Sequence, residues 1–225
     1  MLKAMMQEPM IQEPYLVGLS LEGIIKNVEI PAGLKDVVSE ENSDLEFSVY
    51  GLLKGVATVS AEMVGRVRRH AVDIGAEAFV NVEGPGYIVV LNYDPIEHRK
   101  YTEPLNGETL LVGKNLKNPL KDNVANDFFK LGPKDGAILV MRGGKVHGVK
   151  MKLNIGDGDY CGKTGRMSGE LPPEAGCRYS AAKDMSKYAL GTIAYVLSAH
   201  SGRIMRMEGG TLTFVGFSNY LVCLQ

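Results

Sequence analysis

The chain of 225 residues reads as an α/β protein: a mixed central β-sheet flanked by helices, preceded by a small, mostly-β N-terminal segment. Three observations predict this. From residue 60 onward the hydrophobic period alternates between helix and strand in the order helix, two strands, helix, hairpin, helix, strand, hairpin, without the regular βαβ repetition of a doubly wound fold. Two glycine pairs, Gly143-Gly144 and Gly209-Gly210, sit between apolar runs where tight hairpins need them. The composition, 45% hydrophobic and 23% charged, is that of a globular chain able to bury a core. The expected division is an arm and accessory β segment over residues 1–58 and the main domain over residues 59–225.

The elements follow in order. Gln7-Glu8-Pro9 and Gln12-Glu13-Pro14 suggest an extended arm. Residues 15–19, 25–30 and 45–59 read as short strands, with an acidic loop over 36–44. Ser60 reads as the N-cap of a helix carrying Met63, Val67, Ala71 and Ile74 at helical spacing and closed by Gly75. Residues 76–82 and 87–93 read as strands around the turn at 83–86. A polar loop over 92–104 and a short strand over 109–112 come next. Asp122 or Asn123 caps a helix with the stripe Val124, Phe128 and Leu131, ended by Gly132-Pro133. The strand 137–141 enters the Gly143-Gly144 hairpin. Residues 178–190 form a helix closed by Gly191, residues 192–198 a central strand, and residues 203–207 and 211–217 a final pair around Gly209-Gly210. The apolar tail 220–224 is expected to pack.

Charge and special residues narrow the function. The net charge is −1, so no global basic field points to a nucleic-acid polymer or a membrane surface. The three cysteines, Cys161, Cys177 and Cys223, form no C-x-x-C pair, and His70, His98, His147 and His200 have no metal-ligand spacing. A reducing cytoplasm is the expected location. The N-terminus lacks the pattern of a signal peptide, and no run of about 18 apolar residues occurs to span a membrane.

Two stretches carry chemistry. Asp135-Gly136-Ala137 places a carboxylate at a strand entrance, beside a glycine that lets a ligand approach the backbone. Gly176-Cys177-Arg178 leads into a helix, where free N–H groups, the helix dipole and a guanidinium favour phosphate oxygens. A carboxylate and a cationic phosphate site are the minimum kit for nucleotide chemistry. The glycine-rich segment 154–176 is neither a P-loop nor a calcium loop. Gly162-Lys163-Thr164 lacks the leading glycine, whose place is held by Asp157, and Asp157 and Asp159 lack further ligands at the required spacing.

These motifs resemble the diadenylate cyclase domain family over roughly residues 60–212. The family's Gly-Ala-then-apolar strand is echoed in Gly75-Ala76-Glu77-Ala78-Phe79-Val80, and its Asp-Gly-Ala motif is matched by Asp135-Gly136-Ala137. Its Gly-Thr-Arg-His-Arg-Ala-Ala motif stands here as Gly176-Cys177-Arg178-Tyr179-Ser180-Ala181-Ala182. Its Val-Ser-Glu segment stands here as Leu197-Ser198-Ala199, followed by Ser201-Gly202. The resemblance implies condensation of two ATP molecules to cyclic di-AMP with a divalent metal, Mn²⁺ or Mg²⁺, in a homo-oligomer whose sites face each other. It implies Asp135 and Arg178 as catalytic residues, with Asp135 also the metal ligand. Gly136, Ala137, Gly176, Cys177, Tyr179, Ser180, Leu197 and Ser198 are implied to contact substrate.

The departures fall in the same pocket. Tyr179 and Ser180 replace a histidine and an arginine, and Ala199 replaces a glutamate. Loss of one charged phosphate contact typically costs about 1.5–3 kcal/mol. Lys163, Arg166, Lys183 and His200 are candidates to compensate. The alternative reading is an inactive module of the same fold that binds or senses a nucleotide.

Overall fold

In the computed structural model the described residues are 21–73, 86–105, 109–131, 136–155, 177–199 and 201–217. The arm expected over 1–15, the strand over 76–82, the helix end at Gly132-Pro133, most of the glycine-rich segment and the tail over 220–224 lie outside them.

The chain enters through α1 (Leu21–Lys26) and α2 (Ala32–Lys35), then a 3-10 turn over Glu40–Asn42 runs into α3 (Ser43–Asp73). This corrects the short strands expected over 25–30 and 45–59: the described part of the N-terminal segment is helical. Leu45, Val49, Leu52, Leu53, Val56 and Val59 recur at helical spacing, and all are buried. Burying each such side chain is worth about 1.5–3 kcal/mol, enough to override the weak helix propensity of the valines and glycines. Two of those glycines belong to a helix contact. A side-chain carbon on Gly55 would stand 3.0 Å from Ile25 and 3.1 Å from Leu21, so its absence lets α1 lie against α3. Ser60 is therefore interior to α3 rather than its cap, and the expected boundary at 58/59 falls within this helix.

Among the described residues, seven strands form one mixed sheet. They are β1 (Tyr87–Leu91), β2 (Thr102–Pro104), β3 (Ala137–Val140), β4 (Val146–Leu153), β5 (Ile193–Leu197), β6 (Arg203–Glu208) and β7 (Thr211–Phe217), in the spatial order β2-β4-β3-β1-β5-β6-β7. Among these strands β1 and β3 run parallel, and the other described pairings are antiparallel. The hairpins fall where the glycine pairs placed them. Gly144 takes φ +88° in the first, and Gly209 and Gly210 take +59° and +77° in the second. Residues 109–112 form a turn rather than a strand, with the Val112 N–H bonded to the Thr109 carbonyl at 3.0 Å. The polar connection after β1 contains β2, which pairs with β4 from Thr102↔Leu153 to Pro104↔Met151.

Alternation along the strands divides the core into two layers. Tyr87, Val89, Leu91, Ile138, Val140, Tyr195, Leu197 and Ile204 face α3 and α4 (Val124–Lys130). Tyr87 stacks on Phe128 of α4 at 5.0 Å, and its hydroxyl donates to the Phe128 carbonyl. Ile88, Val90, Ala137, Leu139, Ala194, Val196, Met205 and Met207 face α5 (Cys177–Tyr188), which contributes Tyr179, Ala182 and Met185. The result is a three-layer α/β/α arrangement with β1, β3 and β5 at its centre.

Candidate functional site

Register brings distant stretches to one end of the sheet. Ile88 pairs with Ala137 across the parallel β1–β3 ladder, and Tyr87 pairs with Leu197 across β1–β5. The starts of β1 and β3 and the end of β5 therefore lie side by side. Helix α5 begins at this same end, because the Arg178 guanidinium lies against Gly86, the residue that leads into β1. A side-chain carbon on Gly86 would stand 2.8 Å from Arg178 Nη1, 3.0 Å from Cζ and 3.1 Å from Nε. Arg178 is half-buried, so its charge sits where water is partly excluded and an anion is held more strongly than at the open surface.

Each expected site residue within the described residues has a distinct place in this arrangement. Ala137 is fully buried and faces α5. Gly136, just before it, has φ +109°, and a side-chain carbon there would stand 2.7 Å from both Cα and C of Lys150. The close approach of β4, where Lys150 itself takes φ +52°, is by itself enough to require a glycine here. Cys177 is the first residue of α5, and Ser180 is half-buried in its first turn. Tyr179 turns inward: it is 4% exposed and packs beneath α5, and burial raises its hydroxyl pKa above the ordinary tyrosine value. Leu197 points into the opposite layer, toward α3.

Ser198 follows the end of β5 and forms the turn into β6. Its N–H donates to the Arg203 carbonyl at 2.9 Å, and its hydroxyl accepts from the Ser201 N–H at 3.3 Å. Ala199, in the place of the family's glutamate, is 5% exposed. Asp135, Gly176, Lys163, Arg166 and His200 lie outside the described residues.

The sheet end thus gathers Gly136, Ala137, Arg178, Tyr179, Ser180, Leu197 and Ser198 from three separate stretches. Of the side chains among them, Arg178 is the cation. Gly86 belongs to the group as well and was not among the expected site residues. The only sequence signal for it is its place directly before the apolar run of β1, since its partner Arg178 is remote in the chain.

The resemblance implies a divalent metal. Among the described residues no three His, Cys, Asp or Glu side chains come together to hold a metal ion. Asp135, the metal ligand that the resemblance implies, lies outside the described residues. Among the same residues, no helix is long and apolar enough to cross a membrane.

No protein-family model matches the chain, and no curated protein sequence does. Among solved structures, the chain is similar to a double cysteine mutant of DacA from Staphylococcus aureus, with a TM-score of 0.40 and 17% identity over 83% of this chain and 95% of that one. It is also similar to a hypothetical membrane spanning protein from Bacillus cereus, with a TM-score of 0.41 and 17% identity over 77% of this chain and 98% of that one.

Proposed function

We propose that the chain is a nucleotide-binding domain of the diadenylate cyclase kind, condensing two ATP molecules to cyclic di-AMP. The observation that carries this reading is the meeting, at one sheet end, of Gly136-Ala137 with Arg178 on the first turn of α5. These are the two motifs that the chemistry needs together, and they are far apart in the sequence.

In this reading Arg178 and the backbone N–H groups at the first turn of α5 hold phosphate oxygens. The bound triphosphate is thereby fixed, and negative charge growing on it is offset. The 3′-hydroxyl oxygen of one nucleotide attacks the α-phosphorus of the other. The bond from that phosphorus to the pyrophosphate oxygen breaks, and the hydroxyl proton is lost. The second hydroxyl repeats the step in the other direction, so two pyrophosphates leave and the ring closes. Each active protomer must then face a second copy, and the reading includes a homo-oligomer. Asp135 is assigned to the reacting hydroxyl or to a metal ion on its motif alone, and no step is drawn through the metal.

A second reading, a nucleotide-binding module without turnover, is favoured by two observations. Tyr179 gives its ring to the core, and the Ser198 hydroxyl is engaged in its own turn. Neither restores the charge that the motif has lost.

Incubation with ATP and Mn²⁺, with products read by mass spectrometry beside an Asp135→Asn control, separates the two. Cyclic di-AMP from the unsubstituted protein and none from the control is the expected result. Retained ATP binding with no product would leave the binding module, and no binding of any nucleoside triphosphate would remove both readings.

A further inference from the structure

We propose that Gly86 is a positioning residue of the phosphate site, its missing side chain being the seat on which the Arg178 guanidinium is held; the inference rests on the nucleotide reading of Arg178 given above. Three guanidinium atoms, Nη1, Cζ and Nε, lie at nearly equal distances, 2.8, 3.0 and 3.1 Å, from the point a side-chain carbon would occupy. Near-equal distances mean that the planar group lies broadside on the backbone rather than touching it end-on. A broadside guanidinium keeps its donor edge in a fixed plane, which is what bidentate recognition of a phosphate requires.

The backbone does not itself ask for glycine here. Gly86 is absent from the positive-φ positions of the chain, so an L-residue fits its conformation. The three atoms nearest to its missing side chain all belong to the Arg178 side chain. Gly136 is the contrast, since it needs glycine for φ +109° and for the Lys150 backbone. At Gly86 a methyl group meets the end of a long side chain that can swing away. An alanine there will therefore leave the fold standing and move the arginine. Gly86 directly precedes Tyr87, which pairs with Leu197 on β5, so the displaced group is moved beside the central strands.

The test uses the full chain with Gly86→Ala, Arg178→Ala and the double variant. Thermal melting reports the fold, calorimetry reports ATP binding with adenosine as the phosphate-free probe, and ¹⁵N NMR reports the arginine Nε–H resonances, that of Arg178 being assigned from its loss in Arg178→Ala. In Gly86→Ala, melting stays close to wild type, the Arg178 Nε–H resonance shifts, and ATP binding weakens about ten-fold, as for loss of one charge-assisted contact. Adenosine binding is unchanged, and adding Gly86→Ala to Arg178→Ala weakens ATP no further. An unmoved Nε–H resonance, or an equal loss of ATP affinity in both backgrounds, overturns the positioning role. A wild type that binds no ATP overturns the nucleotide reading instead, while a shifted resonance in that same protein still upholds the seat.

Discussion

Arg206 on β6 donates to the carboxylate of Glu46 on α3 through Nε at 2.6 Å and Nη2 at 3.2 Å, with the two residues 1% and 0% exposed. The Tyr195 hydroxyl donates to the same carboxylate at 2.7 Å, and Arg206 Nη1 reaches Glu208 and Thr213. The group ties the N-terminal helix to the sheet through the core. Removing one partner strands the other charge, so Glu46→Ala is expected to destabilise the protein by about 3–5 kcal/mol. Replacing both, as Glu46→Leu with Arg206→Met, is expected to recover part of that loss, because the two apolar side chains need no partners while the Tyr195 hydroxyl loses its acceptor. Urea unfolding of the single and double variants measures both effects; a double variant no better than Glu46→Ala contradicts the argument.

The same group makes stability sensitive to alkali. Burial first, and then the Glu46 carboxylate, hold the Tyr195 hydroxyl well above the ordinary tyrosine pKa. Above about pH 10 the unfolded chain gives up its tyrosine protons while the folded chain keeps this one. The folded state then binds more protons, and stability falls as pH rises. Tyr50 and Tyr179 are raised by burial in the same direction. Tyr195→Phe is therefore expected to make the decline between about pH 10 and 12 shallower without abolishing it. Chemical denaturation across that range is the measurement, and an unchanged slope is the opposing result.

Gly136 and Gly143 bracket β3 and make a matched pair. Gly136→Ala forces a methyl group against the Lys150 backbone at a φ of +109°, whereas nothing lies within 4 Å of the corresponding point on Gly143. The expected loss for Gly136→Ala is about 1–3 kcal/mol or more, and for Gly143→Ala it is within about 0.5 kcal/mol. Equal midpoints in urea for the two variants would remove the claim that β4 dictates the glycine.

The boundary expected at residue 58/59 is also testable. Leu34, Leu45, Val49, Leu52, Leu53 and Val56 share one cluster with Val89, Ile138, Tyr195 and Ile204 of the sheet. Deleting residues 1–58 would expose that layer and cut α3 in two. The remaining fragment is expected to lose cooperative unfolding, and Leu53→Ala in the whole chain to cost about 2–5 kcal/mol. A deletion product that melts cooperatively near the wild-type temperature would show that the N-terminal segment is accessory after all.

What was legible in the sequence follows from the range of the interactions. The Gly143-Gly144 and Gly209-Gly210 hairpins, the β5 strand and the α5 helix are set by local turn chemistry and hydrophobic period, and they were foreseen. The part of α3 beyond Ser60 was read as helix, but the part over 45–59 was mistaken for strand, because Val49, Val56 and Val59 favour extended backbone and helix interiors disfavour glycines such as Gly51 and Gly55. Their true reason, the contact with Leu21 and Ile25 of α1, is tertiary. Glu46 gave no sign of burial, because its partner Arg206 lies 160 residues away. Gly136, Arg178 and Ser198, singled out by their motifs, come together at one sheet end. Gly86 was invisible, and so was the inward turn of Tyr179, since both depend on how α5 sits on the sheet.

Arg178 itself separates charge from geometry. Arg178→Lys keeps the positive charge but replaces a flat, forked group with a compact ammonium that cannot lie broadside on Gly86. If the site holds phosphate by a fixed pair of donors, Arg178→Lys should lose most of the affinity that Arg178→Ala loses, about ten- to a hundred-fold for ATP. If the site is only a diffuse patch of positive charge, lysine should serve nearly as well, and both variants should become harder to tell from wild type as salt is raised. Titration of ATP into the three proteins at two ionic strengths distinguishes these cases. A lysine variant that binds like wild type at both would mean that the guanidinium plane, and with it the seat on Gly86, does not govern phosphate recognition.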